Sequence, residues 1–466
     1  MIDISSLAGL SVSVFGLGRS GLSSALALKN GGACVSAWDD NEAARKHALA
    51  AGLELVNLYK ADWSTFSALV LSPGISLNHP EPHAIARLAR DHGIEIIGDM
   101  ELLARSNPKA RVIGITGTNG KSTTTALIGH LLLNARRNVQ VGGNLGVPVL
   151  DLKPMDEAGS YVLEMSSYQL ALTRSLVFNV ALLLNLSNDH LDRHGGMDGY
   201  ISTKKSIFEA QGNGHTAIVG IDDASSWAVY VELKKIGKQN AIGVSGEQAV
   251  LGGVYVLSGT LYDDTEEGPA VAVFDLAQAS NLPGIHNAQN AAAAYAAVRA
   301  CGLERETIIA GMKSFQGLAH RQELLAVVDG VAYVNDSKAT NGEAAARALA
   351  CYGDVYWIAG GRAKDGGVEA ARPYLDRVRR AYLIGEAAND FARSLESEIP
   401  VTVSGELSSA VDEARANALA ETGDGAVVLL SPACASLDQF DNFESRGEAF
   451  RDLVDALPGV RRKVGR

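Results

Sequence analysis

Basic charge, cysteine and long apolar runs are all scarce in this chain, and each scarcity removes a class of function. Lysine and arginine number 41 against 53 acidic residues, a net charge of −12. The chain therefore lacks the basic face that a broad nucleic-acid footprint needs, and any anionic ligand must be held locally. The four cysteines, Cys34, Cys301, Cys351 and Cys434, lie far apart with no CxxC pair. Neither a zinc knuckle nor a disulfide framework is suggested, and a reducing, cytoplasmic setting is expected. No run of about 18 apolar residues occurs, and no basic segment followed by an apolar stretch opens the chain, so neither a membrane span nor an export signal is expected. Repeats and low-complexity tracts are missing as well, which argues against a solenoid.

What is present is core material in ordinary globular proportion, 47% apolar and 20% charged residues, with 49 glycines among the 466 positions. That length exceeds what one core usually organises, and three domains of roughly 150 residues fit best. Ser11–Phe15 reads as a strand entering Gly16-Leu-Gly-Arg-Ser-Gly21, with a helix from Leu22 to Asn30 and a second strand from Ala33 to Trp38. This is a βαβ unit. The polar stretch Arg105–Lys109 reads as a linker, which sets a first domain at residues 1–108. A second domain, 109–318, restarts with the apolar strand Arg111–Ile115 and a helix after it. Tyr161–Glu164 and Val180–Asn185 are further strands, residues 217–280 read as an antiparallel insertion, and an alanine-rich helix closes the segment. A third domain, 319–466, alternates strands and helices again. The fold class is thus α/β in three domains: an N-terminal Rossmann-like domain, a central P-loop ATPase-like domain with a mainly parallel sheet, and a C-terminal Rossmann-like domain.

The chemistry sits where strands end. Gly16-x-Gly18-x-x-Gly21, with Asp39 and Asp40 about 20 residues on, has the setting of a dinucleotide fingerprint. Alone it favours NAD, yet its physics is shared by any nucleotide diphosphate and, at minimum, by tight packing. Thr116-Gly-Thr-Asn-Gly-Lys-Ser-Thr123 carries the Gly120-Lys121-Ser122 core of a phosphate loop, with Ile115 where the first glycine would stand and Gly117 inside the loop. Lys121 is suited to the β- and γ-phosphates of ATP and Ser122 to Mg²⁺. Glu164 and the Asn188-Asp-His190 run come after successive strands of this domain, where a hard cation would find its few oxygen ligands. Lys204 and Lys205, read alone, are solvated charges on an amphipathic helix, and Asn287 is a helix cap. His320-Arg321, Asn335–Asn341, Gly360–Lys364 and Ser431–Phe443 place polar groups at sheet edges of the third segment. Cys434, among small residues with no base linked to it in sequence, reads as a packed thiol rather than a nucleophile.

In this order, Thr-Gly-Thr-Asn-Gly-Lys-Ser-Thr, Glu-Met-Ser-Ser-Tyr-Gln-Leu, Asn-Asp-His-Leu-Asp, Tyr-x-x-x-Lys, His-Asn-x-x-Asn and His-Arg resemble the Mur ligase superfamily over essentially the whole chain. Asn335–Asn341 and Leu430-Ser-Pro-Ala-Cys-Ala-Ser-Leu-Asp-Gln-Phe look like its glutamate-adding branch. The resemblance implies a ligase of peptidoglycan precursor synthesis that uses ATP and two Mg²⁺ ions. It would phosphorylate the alanyl carboxylate of UDP-N-acetylmuramoyl-L-alanine to an acyl phosphate, which the amine of D-glutamate attacks. Implied for the UDP substrate are Gly18, Arg19, Ser20, Asp39, Ser72, Gly74 and Asn144. For ATP they are Gly117, Thr118, Asn119, Gly120, Lys121, Ser122 and Thr123, with Asn287 and Asn290 at adenine, and Arg321 and Asp336 from the third domain. Glutamate would meet Lys338, Thr340, Lys364, Ser436, Leu437 and Phe443. Ser122 and Glu164 would hold one Mg²⁺, and His190 with Lys204 the other. The match of Tyr200-x-x-x-Lys204 to the family's carbamylated lysine implies that Lys204, not Lys205, is carbamylated by CO₂, and because residues 204 and 205 differ by about 100° around a helix only one of them can face the site well. Lys121, Glu164, His190 and Lys204 are then the catalytic set, and a monomer is expected. Three other readings compete: folylpolyglutamate synthetase, which normally lacks a separate nucleotide domain like residues 1–108, an NAD-dependent dehydrogenase, and a P-loop switch protein acting by binding alone.

Overall fold

The structure, a computed structural model, describes residues 1–462 apart from 145, 280, 281, 283, 364 and 365, and only the backbone of 285 and 286. It divides into two compact units, residues 1–279 with 285–314, and residues 315–466 with the short segment 280–284.

The first unit holds two sheets. Strands β1 (Ser11–Phe15), β2 (Cys34–Trp38), β3 (Ala68–Leu71) and β4 (Glu95–Ile97) form a parallel sheet in the order β2-β1-β3-β4. The second sheet has nine strands: β5 (Arg111–Thr116), β6 (Asn138–Gly143), β7 (Gly159–Glu164), β8 (Val180–Leu183), β9 (Thr216–Gly220), β10 (Asn240–Ser245), β11 (Val254–Leu257), β12 (Thr260–Asp263) and β13 (Val271–Asp275), ordered β13-β12-β11-β10-β9-β8-β5-β7-β6. β5 lies between β7 and β8, with Ile115 level with Glu164 and Thr116 level with Leu183. Three strands therefore end side by side, and the loops that leave them share a single edge.

These strands form because β5, β7 and β8 are apolar on both faces, as a parallel sheet covered by helices requires. One buried cluster runs from Val14 and Leu28 through Met100 and Leu102 to Leu163, Phe178 and Tyr200. The short helix Asp99–Arg105 joins the two sheets to this common core. Its Glu101 accepts hydrogen bonds from the backbone N–H of Arg174 and Ser175 at 2.8 and 2.9 Å and from the Ser175 hydroxyl at 2.7 Å.

The expected antiparallel insertion over residues 217–280 needs correction. β9 and β10 run parallel to β8, joined by the helix Ala224–Ile236, and antiparallel pairing begins only between β11 and β12. The Asp and Gly residues that suggest hairpin turns include this helix's punctuation: Asp223 caps it by accepting from Ser226 N, and Gly237 ends it at φ +65°.

The second unit carries β14 (Glu323–Val328), β15 (Val331–Asn335), β16 (Val355–Gly360), β17 (Val378–Ile384), β18 (Val401–Gly405), β19 (Val427–Leu430) and β20 (Arg461–Arg462), in the order β18-β17-β16-β19-β15-β14-β20. β14 pairs antiparallel with β15 and β20, and the other pairs are parallel. Separate apolar clusters line its two faces, one around Trp357 and Phe391 and one around Tyr356 and Phe450.

Gly114, inside β5, tests how tightly the central edge is set. A Cβ there would lie 2.3 Å from the ring of the buried Phe178. Gly114→Ala is expected to cost about 1–3 kcal/mol of stability by overpacking. A thermal melt checks this, and an unchanged Tm would mean that Phe178 gives way freely.

Candidate active site

The strand β5 runs into the loop 117–120 and then the helix Lys121–Asn134. Gly117 (φ +147°) and Gly120 (φ +82°) both need glycine, the second because a Cβ would also meet Asn290 Oδ1 at 2.2 Å. Lys121 Nζ donates to the carbonyls of Gly117 and Thr118, both at 2.8 Å, so its ammonium lies over the loop. Ser122 and Thr123 are buried in the first helical turn, where backbone N–H groups and the helix dipole favour an anion. Asn290 accepts from the Thr124 hydroxyl at 3.2 Å and donates to Asn287 Oδ1 at 3.1 Å. This pair thus lies directly against the loop and its helix.

At the end of β7, Glu164 is only 2% exposed. Its Oε1 accepts from Asn144 Nδ2 at 2.6 Å, while its Oε2 is buried with no hydrogen-bond partner among the described residues. An unpaired buried carboxylate oxygen is costly unless something cationic meets it. With the Ser122 hydroxyl in the helix that leaves the adjacent strand's loop, the donors are all oxygen, the chemistry a Mg²⁺ ion asks for when phosphate completes its shell. Among the described residues no group of three or more His, Cys, Asp or Glu gathers as a metal cage.

Asn144 also lines a cleft of about 410 Å³ whose walls include Gly18, Arg19, Ser20, Asp39, Ser72 and Gly74. All seven residues assigned from sequence to one substrate therefore meet here, and Asn144 links them to Glu164. Asp39 accepts from Leu17 N at 2.5 Å and Asn41 N at 2.7 Å, which fixes the glycine turn. Gly21 has no room for a side chain, since a Cβ would fall 1.7 Å from Gly16 O. Arg19 donates to Gly146 O across the cleft. Sequence reasoning missed Gln169, another wall residue, whose amide donates to the buried Asp99 at 3.2 Å.

Lys204 is 2% exposed, although its sequence setting alone reads as a surface charge. Its Nζ donates to Gly117 O at 2.9 Å and Thr116 Oγ1 at 3.3 Å and lies 4.9 Å from the centre of the Tyr200 ring. Burial, and then the charge of Lys121, push its pKa well below the usual lysine value, while Asp189 and Glu164 pull the other way. Lys205 points elsewhere and pairs with Glu232 at 3.0 Å. Tyr200 was legible through its four-residue spacing from Lys204; its hydroxyl bonds Thr118 Oγ1 at 3.1 Å. His190 stands at φ +51° with its ring 5.2 Å from that of Tyr168. His194 had no sequence signal. Its Nε2 meets Ser167 Oγ at 2.9 Å, and its ring packs against Tyr168 and Tyr200.

In the second unit, β15 and β19 end level, Asn335 beside Leu430. Asp336, just past β15, accepts from Ser431 Oγ at 2.8 Å and Gln322 N at 3.1 Å. Burial pushes its pKa up to about 7, against the lowering effects of Ser431, then Arg321. Lys338 Nζ lies 5.5 Å from the centre of the Phe443 ring, Ser436 is buried, Leu437 is exposed, and Thr340 comes next in the same turn. Sequence reasoning missed Arg446, 1% exposed, which joins these loops: it donates to Ser337 Oγ at 3.0 Å, Ser337 O at 2.9 Å and Cys434 O at 3.1 Å. Cys434 is a packed thiol, raised by burial to about 12. Lys364 lies outside the described residues.

A glycine loop between strand and helix, a buried carboxylate with a free oxygen and two lysines over the loop define an α/β enzyme of the phosphate-loop class. Residues 115–298 match the Mur ligase middle domain, and residues 320–434 the Mur ligase glutamate ligase domain. Relatives named UDP-N-acetylmuramoylalanine--D-glutamate ligase include those of Caulobacter vibrioides, 50% identical with 98% of each chain covered, and of Rhodospirillum rubrum, 48% identical with 99% of this chain and 98% of that one covered. In fold the chain resembles the UDP-N-acetylmuramate-alanine ligase MurC of Thermotoga maritima (TM-score 0.59, 14% identity, 96% and 99% covered). The chain belongs to the Mur ligase family.

Desolvation, together with the charges of Lys204, His190 and Arg193, holds the His194 pKa down at about 4. A histidine whose folded pKa lies below its unfolded value of about 6.5 destabilises the fold as pH falls through that interval, because the unfolded chain then binds the extra proton. An NMR titration of its ring is expected to show a midpoint near 4. Stability should decline from about pH 6.5 downward, and less steeply in His194→Gln. A ring midpoint near 6.5 would contradict the burial argument.

Proposed function

We propose that this enzyme joins D-glutamate to UDP-N-acetylmuramoyl-L-alanine with consumption of ATP, in the cytoplasmic assembly of peptidoglycan precursor. The observation that carries the reading is the continuity from the 410 Å³ cleft through Asn144 to Glu164 and the phosphate loop. In this reading a carboxylate at the end of a UDP-linked substrate in that cleft would come to lie beside a triphosphate bound at the loop.

In this reading residues 1–108 hold the UDP portion, 109–318 the ATP and 319–466 the glutamate. The alanyl carboxylate oxygen attacks the γ-phosphorus, the bond to ADP breaks, and an acyl phosphate results. The glutamate nitrogen then attacks the acyl carbon, loses a proton, and inorganic phosphate departs. Two anions must meet in the first step, so the chain's part is chiefly charge and alignment. Lys121 neutralises the γ-phosphate, helix Lys121–Asn134 directs its N–H groups at the phosphates, and Asn144 orients the carboxylate end. Two Mg²⁺ ions, one at Ser122 and Glu164 and one near His190 and Lys204, would supply further positive charge. Asn287 and Asn290 lie on the adenine side, and Arg321 and Asp336 serve the nucleotide from the third domain. Lys338, Thr340, Lys364, Ser436, Leu437 and Phe443 frame glutamate.

Lys204 is the residue whose role departs furthest from its sequence context. A buried amine with a lowered pKa is partly neutral and can add to CO₂, forming an N–C bond and losing a proton. The product is an anion able to ligate a cation, whereas an ammonium would repel one. The protein acts as a monomer in this reading.

Phosphate release should require ATP, the UDP-muramoyl-alanine and D-glutamate together. Turnover indifferent to either acceptor, or NAD reduction, would reject the reading. Lys121→Ala is expected to lower kcat by at least about 10²-fold without changing the fold. Lys204→Ala should lose nearly all ligation and Lys205→Ala keep most of it, with a ¹³CO₂ carbamate signal that vanishes only in the first. Phe443→Ala should raise the KM for glutamate far more than that for the UDP substrate, and the reverse pattern would overturn the division of substrates.

A further inference from the structure

The loop 117–120 is held from one side by a file of side-chain amides that none of the sequence motifs explains. Asn185, just beyond β8, takes both sides of one peptide residue: its Oδ1 accepts from Asn119 N at 2.8 Å and its Nδ2 donates to Asn119 O at 3.3 Å. Its own carbonyl accepts from Thr118 N at 2.9 Å. The amides of Thr118 and Asn119 are thus committed to Asn185, which leaves phosphate binding to the N–H groups from Gly120 onward.

Asn185 is in turn oriented by Gln289. Gln289 Oε1 accepts from Asn185 Nδ2 at 3.2 Å, and Gln289 Nε2 donates to Asp222 Oδ2 at 2.9 Å. Asp222 also accepts from Ser245 Oγ at 2.5 Å and Gly246 N at 2.8 Å. A carboxylate surrounded by three donors offers only lone pairs, so the Gln289 NH₂ must face it and the Gln289 carbonyl must face Asn185. The Asn185 NH₂ then faces Gln289, and its carbonyl is left for Asn119 N. Asp222 therefore sets the direction of the Gln289 amide, and the Gln289 carbonyl then meets Asn185 in the same orientation that Asn119 N–H and C=O demand of it, so that both ends of the file agree. Gln289 is buried, so water does not compete for these bonds. The space is also tight, since a Cβ on Gly220 would lie 1.8 Å from Leu184 O and 2.8 Å from Gln289 Nε2.

We propose that Gln289 and Asn185 are positioning residues for the phosphate loop, polarised by Asp222 so that the loop is preset to receive the phosphates of ATP. This rests on the reading that the loop binds ATP. Gln289 acts on the loop through Asn185.

The test uses the full-length enzyme with ATP, UDP-muramoyl-alanine and D-glutamate varied in turn. Gln289→Glu keeps the side chain's shape but turns an oxygen toward Asp222. It is expected to raise the KM for ATP about 5- to 15-fold, the scale of one lost buried hydrogen bond. The KM values for the other two substrates should move less than about two-fold, since nothing in the file touches their sites. Adding Asp222→Asn supplies a donor for the new carboxylate, so the double variant should recover part of the ATP KM. Gln289→Met, of similar volume and without hydrogen bonds, serves where the charged variant fails to fold, with the same rise expected. An unchanged ATP KM in Gln289→Met, equal shifts for all three substrates with a fallen Tm, or a double variant no better than Gln289→Glu would overturn the proposal. Lys121→Ala is the control: if it leaves ATP binding intact, the ATP reading itself fails, whereas an effect of Lys121→Ala without one of Gln289 sinks only this inference.

Discussion

The backbone of residues 117–120 is the constraint on which the first unit depends. A strand must end, the chain must turn with its N–H groups gathered on one side, and a helix must begin at once. Gly117 and Gly120 take conformations and contacts that no side chain allows. Because these glycines carry nothing that could pack, the loop has no hold of its own, and its shape comes from neighbours. Asn185, Tyr200 and Lys204 hydrogen-bond to it, and Asn290 lies against Gly120, so that three other elements reach it. The level ends of β5, β7 and β8 make this possible, for a shift of one residue in any register would withdraw a partner.

Charge is distributed with the same economy of position. The chain is acidic by twelve charges, yet at the loop Lys121 and Lys204 stand together near Asp189 and Glu164, the latter with one buried oxygen that has no hydrogen-bond partner among the described residues. Burial first, and then the charge of Lys121, lower the pKa of Lys204, while Lys121 lies further toward solvent. An acidic exterior with a local excess of cation suits a site that must select anionic substrates by geometry instead of collecting polyanions by long-range attraction.

How far this was legible in the sequence depends on the distance between partners. The strand, glycine loop and helix around Lys121 are contiguous, and periodicity marks them. The choice of Lys204 over Lys205 needed the family pattern, because a lysine's burial depends on what covers it, here a loop 87 positions away. The antiparallel reading of 217–280 failed at β9 and β10 because Asp and Gly punctuate helices as readily as hairpins. Asn185 and Gln289 carried no signal, since their partners stand 66 and 104 positions apart and amides of this kind are common in loops. Arg446 escaped for the same reason, with Ser337 109 residues before it.

The two units reach a common solution to a problem that parallel sheets create. Where several strands end together, the chain leaves the ladder and its carbonyls lose their partners, which is tolerable at a binding edge only if something other than water satisfies them. In the first unit a buried amine, Lys204 of the helix Met197–Lys205, donates to Gly117 O. In the second, Arg446 from the helix Phe443–Ala456 donates to Ser337 O and Cys434 O, and burial lowers even its pKa to about 10. Each of these basic side chains donates to backbone carbonyls at the strand ends. Beside Lys204, Glu164 keeps one buried oxygen with no hydrogen-bond partner among the described residues, the position from which a carboxylate can meet a bound cation.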